Sequence, residues 1–473
     1  MNPPPLAAPP LWPALLFGAL AGALGWGIRG QYGHETGAMI AGLLVSLTLT
    51  LVLCPGAPAS SVLRAVAWGT VAFGFGGSMT YGQTIGLTQD APHVGHWAAW
   101  RWGMLGLALK GGLWIGFAGL FLGLGLGGVR YRGRELGGAM LGALALCALG
   151  SWLLNEPYDP ARQLLPKLYF SDDWRWEPGA VLTPRREVWG GLLFALAGLL
   201  GFTLWRRDPL APRLALWGIL GGALGFPLGQ TLQSWPAWNP ELVRRGLGAE
   251  LAPLINWWNF METTFGAVLG ATLGAGLWFH RARIRPAVAA GGSPLPPALE
   301  ASLLAGHVGL LSLVEFTDNR LAAAVYDFGL WLGLVPVALI AVGRWSPLWV
   351  LLPITALPIV GKTLRAAGAE PALLSPVRAG LFLGVMPLAL TVWAAFRFQR
   401  QSAVAGVPAA VVLRPLLVLA VWLYFGLNYA FFRFPWPWSP WTSRTPNALV
   451  FSACAVGLTW LAWRRIPTRG ESP

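Results

Sequence analysis

The sequence predicts an all-α, polytopic integral membrane protein of about 14 transmembrane helices, arranged as seven repeated helical hairpins with both termini inside (N-in/C-in). Three observations carry this. Hydrophobic residues make up 55% of the 473 positions and charged ones 11%, less than half the charged share of soluble domains. Apolar runs of about 18 residues or more, long enough to cross a hydrocarbon core of roughly 30 Å, recur along the chain. A corner motif recurs as well. TYGQTIG at Thr80–Gly86 returns as LGQTL at Leu228–Leu232 and, with one change, as VGKTL at Val360–Leu364. The following LKGGLWIG, from Leu109, is echoed by YDFGLWLG at Tyr326–Gly333 and VRAGLFLG at Val377–Gly384. Internal similarity of this kind is weighed before any single motif.

Residues 1–473 read as one transmembrane domain. Helix one is expected over about Leu11–Ile28, as an uncleaved first span because nothing basic precedes Arg29. Helix two covers about Thr36–Leu53, and helices three and four Val62–Tyr81 and Ala99–Leu126. Helix five covers Leu136–Leu154, and a long outer loop at 155–186 precedes helix six, which ends near Trp205. Helix seven is expected over Leu214–Leu228, a second outer loop at 233–258, and helix eight up to about Phe279. A cytoplasmic linker at 280–297 then joins the halves. Helices nine to fourteen are expected near Ala298–Val314, Leu321–Val342, Leu348–Val360, Ser375–Phe396, Pro415–Ala430 and Asn447–Trp463.

The net charge of +14 is spread over short clusters between apolar runs, which points to topology and excludes a nucleic-acid partner. Arg130, Arg132, Arg134, Arg206, Arg207, Arg281, Arg283, Arg285, Arg344, Arg397, Arg400, Arg464 and Arg465 fall on one side if the helix count holds. That side is then cytoplasmic and the home a bacterial inner membrane, with membrane lipids as neighbours. The outer loops, among them FRFPWPWSPWTSR at 432–444, mix acids, bases, Trp and Pro. Cys54, Cys147 and Cys454 lie in or beside apolar runs without metal-ligand spacing and read as structural thiols. No HExxH, CxxC, GxSxG or Walker pattern is present, so no metal or other cofactor is expected. GLGLGG at Gly123–Gly128 has dinucleotide-type glycine spacing, but inside an apolar helix it reads as close helix packing.

Each returning helix opens on a polar residue: Glu35, Lys110, Glu187, Glu262, Asp327, Arg378 and Asn447. Each lies 17 to 20 residues from the next basic residue or breaker, about 26 to 30 Å of helix, which sets all seven at one outer depth. Acids at a helix start suit the dipole, whereas Lys110 and Arg378 oppose it and call for another reason. Gly82, Gly229 and Gly361 are expected to end outgoing helices in left-handed caps. The amides of Gln83 and Gln230 beside them suit a hydroxyl-rich solute or a re-satisfied broken helix. Asp172 with Asp173, and His93 with His96, are weighed as metal ligands against a solvated turn and interfacial histidines. His307 with Glu300 and Glu315 is weighed as a proton relay against a core histidine.

The expected substrate-binding set is Arg29, Gln31, His34, Glu35, Gln83, Lys110, Gln230, Glu262, Asp327, Lys362 and Arg378, converging on a charged, outer-facing central cavity. The function expected from it is a permease for a polar small solute, a sugar or sugar acid. The alternatives are a membrane-embedded transferase acting at the outer face, or a non-catalytic partner subunit or sensor with a closed, fully salt-bridged centre.

Overall fold

The computed structural model describes residues 10–245, 247–286, 295–343, 346–369, 374–432 and 441–464. Arg344, Arg465, most of the 432–444 loop and the middle of the 280–297 linker lie outside the described residues. The described residues form helices and no β-strand. The first eight helices are α1 (Trp12–Arg29), α2 (Glu35–Leu53), α3 (Ala59–Ala72), α4 (Gly82–Gln89), α5 (Trp97–Leu126), α6 (Gly133–Leu154), α7 (Trp189–Trp205) and α8 (Ala211–Trp238). They are followed by α9 (Trp257–Phe279), α10 (Pro297–Phe316), α11 (Arg320–Tyr326), α12 (Gly329–Val342), α13 (Pro347–Ala367), α14 (Pro376–Ser402), α15 (Ala409–Phe432) and α16 (Thr445–Trp463).

Among these, α2, α5, α6, α10, α13, α14, α15 and α16 are long and apolar enough to cross a membrane. The pair α11–α12, bent by 88°, makes a ninth span if taken as one. The architecture is consistent with a polytopic membrane protein.

Six helices close a ring: α5 packs on α8, α8 on α9, α9 on α1, α1 on α2, α2 on α3 and α3 on α5. Three of its members, α1, α8 and α9, are long but are not among the strongly apolar helices. Their sequences are diluted by glycine, and the seams show why. A Cβ placed on Gly22 would lie 1.9 Å from the carbonyl oxygen of Gly266, and one on Gly270 would lie 2.0 Å from that of Gly18. Across α5 and α8, a Cβ on Gly222 would lie 1.9 Å from the oxygen of Gly111. Lipid offers apolar side chains no reason to associate, so small residues that bring backbones together supply the packing. Aromatic rings fill the middle: Phe265 meets Trp26 at 4.6 Å and Phe226 at 4.7 Å, and Trp26 meets Trp114 at 5.2 Å between centroids.

Several elements depart from the expected pattern. The third apolar run is not one helix to Tyr81. It stops at Ala72, makes a 3₁₀ turn at Phe75–Ser78, and restarts at Gly82. The tenth run breaks after Tyr326. The two breaks touch, because a Cβ on Gly329 would sit 2.0 Å from the oxygen of Gly74. Helix α8 continues through Pro227 and Pro236 to Trp238, taking in the start of the 233–258 loop. None of Gly82, Gly229 and Gly361 is a left-handed cap. Gly82 opens α4, the other two lie inside α8 and α13, and the positive-φ glycines are Gly33, Gly95, Gly128, Gly179 and Gly406. Hydrogen bonding within the helix already satisfies the backbone at Gly229 and Gly361, so no cap is called for.

Replacing Gly22 or Gly266 by Leu is expected to destabilise the protein by at least about 1–3 kcal/mol, since backbone cannot move aside for a side chain. Gly142→Ala on α6, where nothing lies within 4 Å, is expected to be neutral or stabilising by under about 1 kcal/mol. Thermal melting of the detergent-solubilised protein checks both.

Candidate functional site

Arg29 ends α1 inside the ring and is 1% exposed. Its guanidinium lies 5.2 Å from the Trp26 ring centroid, 5.3 Å from Tyr81 and 5.1 Å from Trp114. It donates to the Tyr81 hydroxyl and, at 3.0 Å, to Glu262 Oε1. Its other terminal nitrogen is 2.5 Å from His34 Nδ1. Tyr81 donates to Glu262 Oε1 at 3.2 Å. Arg29 Nε meets no acceptor. Three aromatic faces suit a planar, weakly hydrated cation and would not suit lysine equally well. Glycine at position 30 admits the acid, because a Cβ there would strike Glu262 Oε2 at 1.7 Å.

Beside this group lies a second set. Lys362 Nζ donates to Tyr32 O at 2.7 Å and Tyr326 Oη at 3.1 Å, with Glu315 Oε1 at 3.9 Å. Tyr326 is hydrogen-bonded to Thr36, and Tyr32 Oη lies 3.2 Å from Thr363 Oγ1. Glu315 also pairs with Arg365 at 2.5 Å. Glu35 is buried with its carboxylate against Gly77, where a Cβ would be 2.7 Å from Oε1. Its electrostatic neighbours are Asp327, Lys362 and Arg29. His34 and Asp327 are exposed, and Gln31 is half-buried. Gln31 also lines a cavity of about 10 Å³ with Asn256, Asn259, Asn428 and Asn447, about the room one water needs.

Lys110 belongs to a different construction. It lies midway along α5, and its ammonium donates to Thr80 O at 2.6 Å, Thr84 Oγ1 at 2.7 Å and Glu187 Oε1 at 2.6 Å. Glu187 accepts further from Ser171 Oγ at 2.9 Å, Phe170 N at 3.0 Å and Trp189 Nε1 at 3.2 Å. All three ammonium protons are spent, and the acid is equally occupied. The backbone left open between α3 and α4 explains this: Lys110 takes the Thr80 carbonyl, and Trp114, one turn on, donates to Phe73 O at 2.6 Å.

The two glutamines tie segments together. The Gln83 amide donates to Thr183 O and accepts from Arg185 N, both at 2.9 Å, which clamps the 155–186 loop. Buried Gln230 donates to Thr88 Oγ1 at 2.7 Å, joining α8 to α4. Arg378 is exposed on α14 and has no salt bridge among the described residues, so it does not join the central set. Its position in the first turn after the Ser375 cap leaves it at the rim.

The structure therefore brings together Arg29, His34, Glu35, Glu262, Asp327 and Lys362, with Gln31 beside them. It sets Lys110, Gln83 and Gln230 in neighbouring scaffold contacts. Tyr81, Trp114 and Tyr326, which the expected set lacks, all sit inside the recurring motifs.

His96 caps α5, accepting from Ala99 N at 3.1 Å, and His93 pairs with Glu177 at 3.0 Å. Asp173 accepts from Arg175 Nε at 2.7 Å. No three His, Cys, Asp or Glu side chains converge as a metal requires among the described residues. His307, Glu300 and Glu315 all face inward from α10. No known protein family, curated protein or solved structure matches the chain.

Removing the Lys110 charge strands a buried carboxylate, so Lys110→Met is expected to destabilise by about 3–5 kcal/mol, with Lys110→Met/Glu187→Leu recovering only part of it, because Thr80 O and Phe170 N still lose their partners. Arg378→Met is expected to change stability by less than about 0.5 kcal/mol. Denaturant titration in detergent measures all three.

In the 155–186 loop, burial first, and then the charges of Asp90, Glu177 and Asp173, push the Asp172 carboxyl up to about 7. The docked loop thus keeps a proton that the released chain gives up near 3.8. Docking is therefore strongest below about 3.8 and weakens as pH rises from there to about 7, where the docked carboxyl ionises too. Rate-corrected hydrogen exchange across 155–186 should accelerate from about pH 3.8 to about 7, and Asp172→Asn should flatten that dependence.

Proposed function

We propose that the chain is a multi-pass permease for a polar small solute, a sugar or sugar acid, working through the polar centre between α1, α2, α9 and α13. The observation that carries this reading is the buried Arg29–Tyr81–Glu262 group in contact with His34, the exposed member of the set. A buried ion pair adds little stability compared with apolar packing, so its presence calls for a task. Intramembrane charges of both signs usually line a path. Two broken helices meeting at membrane depth are the usual surroundings of a transported solute, since opened backbone and half-helix ends supply polar contacts there. Aromatic faces at Trp26, Tyr81 and Trp114 suit a pyranose ring, and Arg29 with His34 suits a carboxylate on it.

In the finer reading we propose, the chain crosses the membrane about fourteen times as seven hairpins, N-in/C-in, in a bacterial inner membrane. The arginine-bearing links that gather at one end support this orientation: Arg206 donates to Arg130 O at 2.9 Å, and Arg285 N to Leu126 O at 2.7 Å. A transferase at the outer face would need uncommitted acids beside the long loop: Asp173 is held by Arg175, whereas Asp172 Oδ1 meets no donor.

Counterflow in proteoliposomes tests the proposal. Exchange of at least one labelled sugar or sugar acid above protein-free vesicles is expected. Glu262→Gln and Arg29→Lys should each lower it by roughly tenfold or more, because the first leaves the Arg29 charge unpaired and the second loses the planar fork that meets three rings and His34. No exchange across a broad panel by folded, reconstituted protein would overturn it.

A further inference from the structure

A concavity of about 530 Å³ opens beside the C-terminal end of α5, past the opposite end of α9 from Glu262, and its walls include Gly128, Arg130, Pro209, Arg283 and Arg285. Its size falls in the range of small-molecule sites, roughly 300–1,000 Å³. Three separate links build it. After the 3₁₀ turn Arg281–Arg283, the backbone N–H of Arg285 donates to Leu126 O at 2.7 Å, stitching this segment onto the last turn of α5. Gly128 has φ +80°, and a Cβ there would stand 3.0 Å from the Arg285 oxygen. On the other side, Arg206 holds the Arg130 carbonyl, and Arg213 holds Pro209 O at 2.7 Å. The walls are thus fixed by backbone contacts, and the arginine side chains of Arg130, Arg283 and Arg285 remain exposed.

The charge balance of these walls is one-sided. No carboxylate lines the space, and none of the three arginines has a salt bridge among the described residues; Arg283 meets only a ring nitrogen, His280 Nδ1, at 3.2 Å. The acid behind Gly127, Asp208, is 4% exposed and already accepts from Leu210 N and Ala211 N at 2.8 Å and from Tyr131 Oη at 2.9 Å. Neighbouring Arg206 shows the contrast, since it is paired with Glu135 at 3.2 Å. Topology asks only that basic residues lie on one side of a membrane. It does not ask that three of them share one volume, where like charges repel unless an anion intervenes. Guanidinium groups match phosphate oxygens in bidentate geometry, which makes phosphate the anion they hold best.

We propose that this concavity binds a phosphate-bearing anion through Arg130, Arg283 and Arg285. The phosphate comes either from an anionic phospholipid headgroup, as basic pockets at a membrane surface allow, or from a soluble phosphate compound. The proposal does not rest on the permease reading.

The full chain, purified in detergent and stripped of lipid, is melted with phosphatidylglycerol, with phosphatidylcholine, and with inorganic pyrophosphate. The same series is run on the variant Arg130→Gln/Arg283→Gln/Arg285→Gln. Wild type should gain several degrees from a phosphate-bearing anion over phosphatidylcholine, and the variant, melting like wild type alone, should lose that gain. A gain from phosphatidylglycerol alone assigns a headgroup, whereas a gain from pyrophosphate assigns a soluble ligand. If the triple variant does not fold, Arg130→Gln and Arg283→Gln are read singly, each expected to cut the gain about in half. Variants that gain as much as wild type, or a wild type that neither anion stabilises beyond phosphatidylcholine, would overturn the site.

Discussion

Buried backbone carbonyls opened from a helix must find donors, and the centre of this protein is arranged around that demand. Between Ala72 and Gly82 the third apolar run loses its α-helical bonds. Water is scarce there, so α5 supplies the donors: Lys110 for Thr80 O and Trp114 for Phe73 O. The ammonium then needs a counterion, which Glu187 provides from outside its own helix, and that acid gathers three donors of its own. One unsatisfied turn thus accounts for a buried lysine, a buried glutamate and the path of the loop that brings the glutamate in. The same break sets Tyr81 at the N-cap of α4, where its carbonyl accepts from Ile85 N and its hydroxyl reaches Arg29 and Glu262.

The two buried ion pairs differ in kind. Lys110–Glu187 is saturated, with every proton and both carboxylate oxygens assigned, and reads as scaffold. Arg29–Glu262 keeps Nε without an acceptor and touches a histidine that reaches solvent. Burial alone does not separate them, since Arg29, Glu262 and Lys110 are each 1% exposed. The hydrogen-bond inventory does.

Much of the helix placement was legible, because a run of apolar residues leaves the backbone little choice but helix. Helix α2 starts one residue from its expected position, and α9 ends where expected. The breaks were hidden. Residues 73–81 stay mostly apolar, and only the Gly76–Gly77 pair followed by Ser78 signals a change of conformation. The sequence also marks Lys110 as something other than a cap, yet its role depends on Glu187, 77 residues away. Arg29, His34 and Glu35 were legible as a polar group because they are neighbours along the chain. Tyr81, Trp114 and Tyr326 were passed over since an aromatic in an apolar run looks like packing, although their places in the recurring TYGQT, GGLWIG and YDFG motifs were the available signal. Arg378 shares its spacing with Lys110 but not its surroundings, which spacing alone does not reveal.

The glycine seams carry a mechanical consequence. Where main chain rests on main chain, as at Gly22 with Gly266 and Gly111 with Gly222, the resistance to axial slip comes from neighbouring rings such as Trp26 against Phe265, while prying the helices apart forfeits the whole contact. A ring joined in this way resists dilation more than shear, so any rearrangement of its interior should travel lengthwise, one staff past its neighbour, with the circumference conserved.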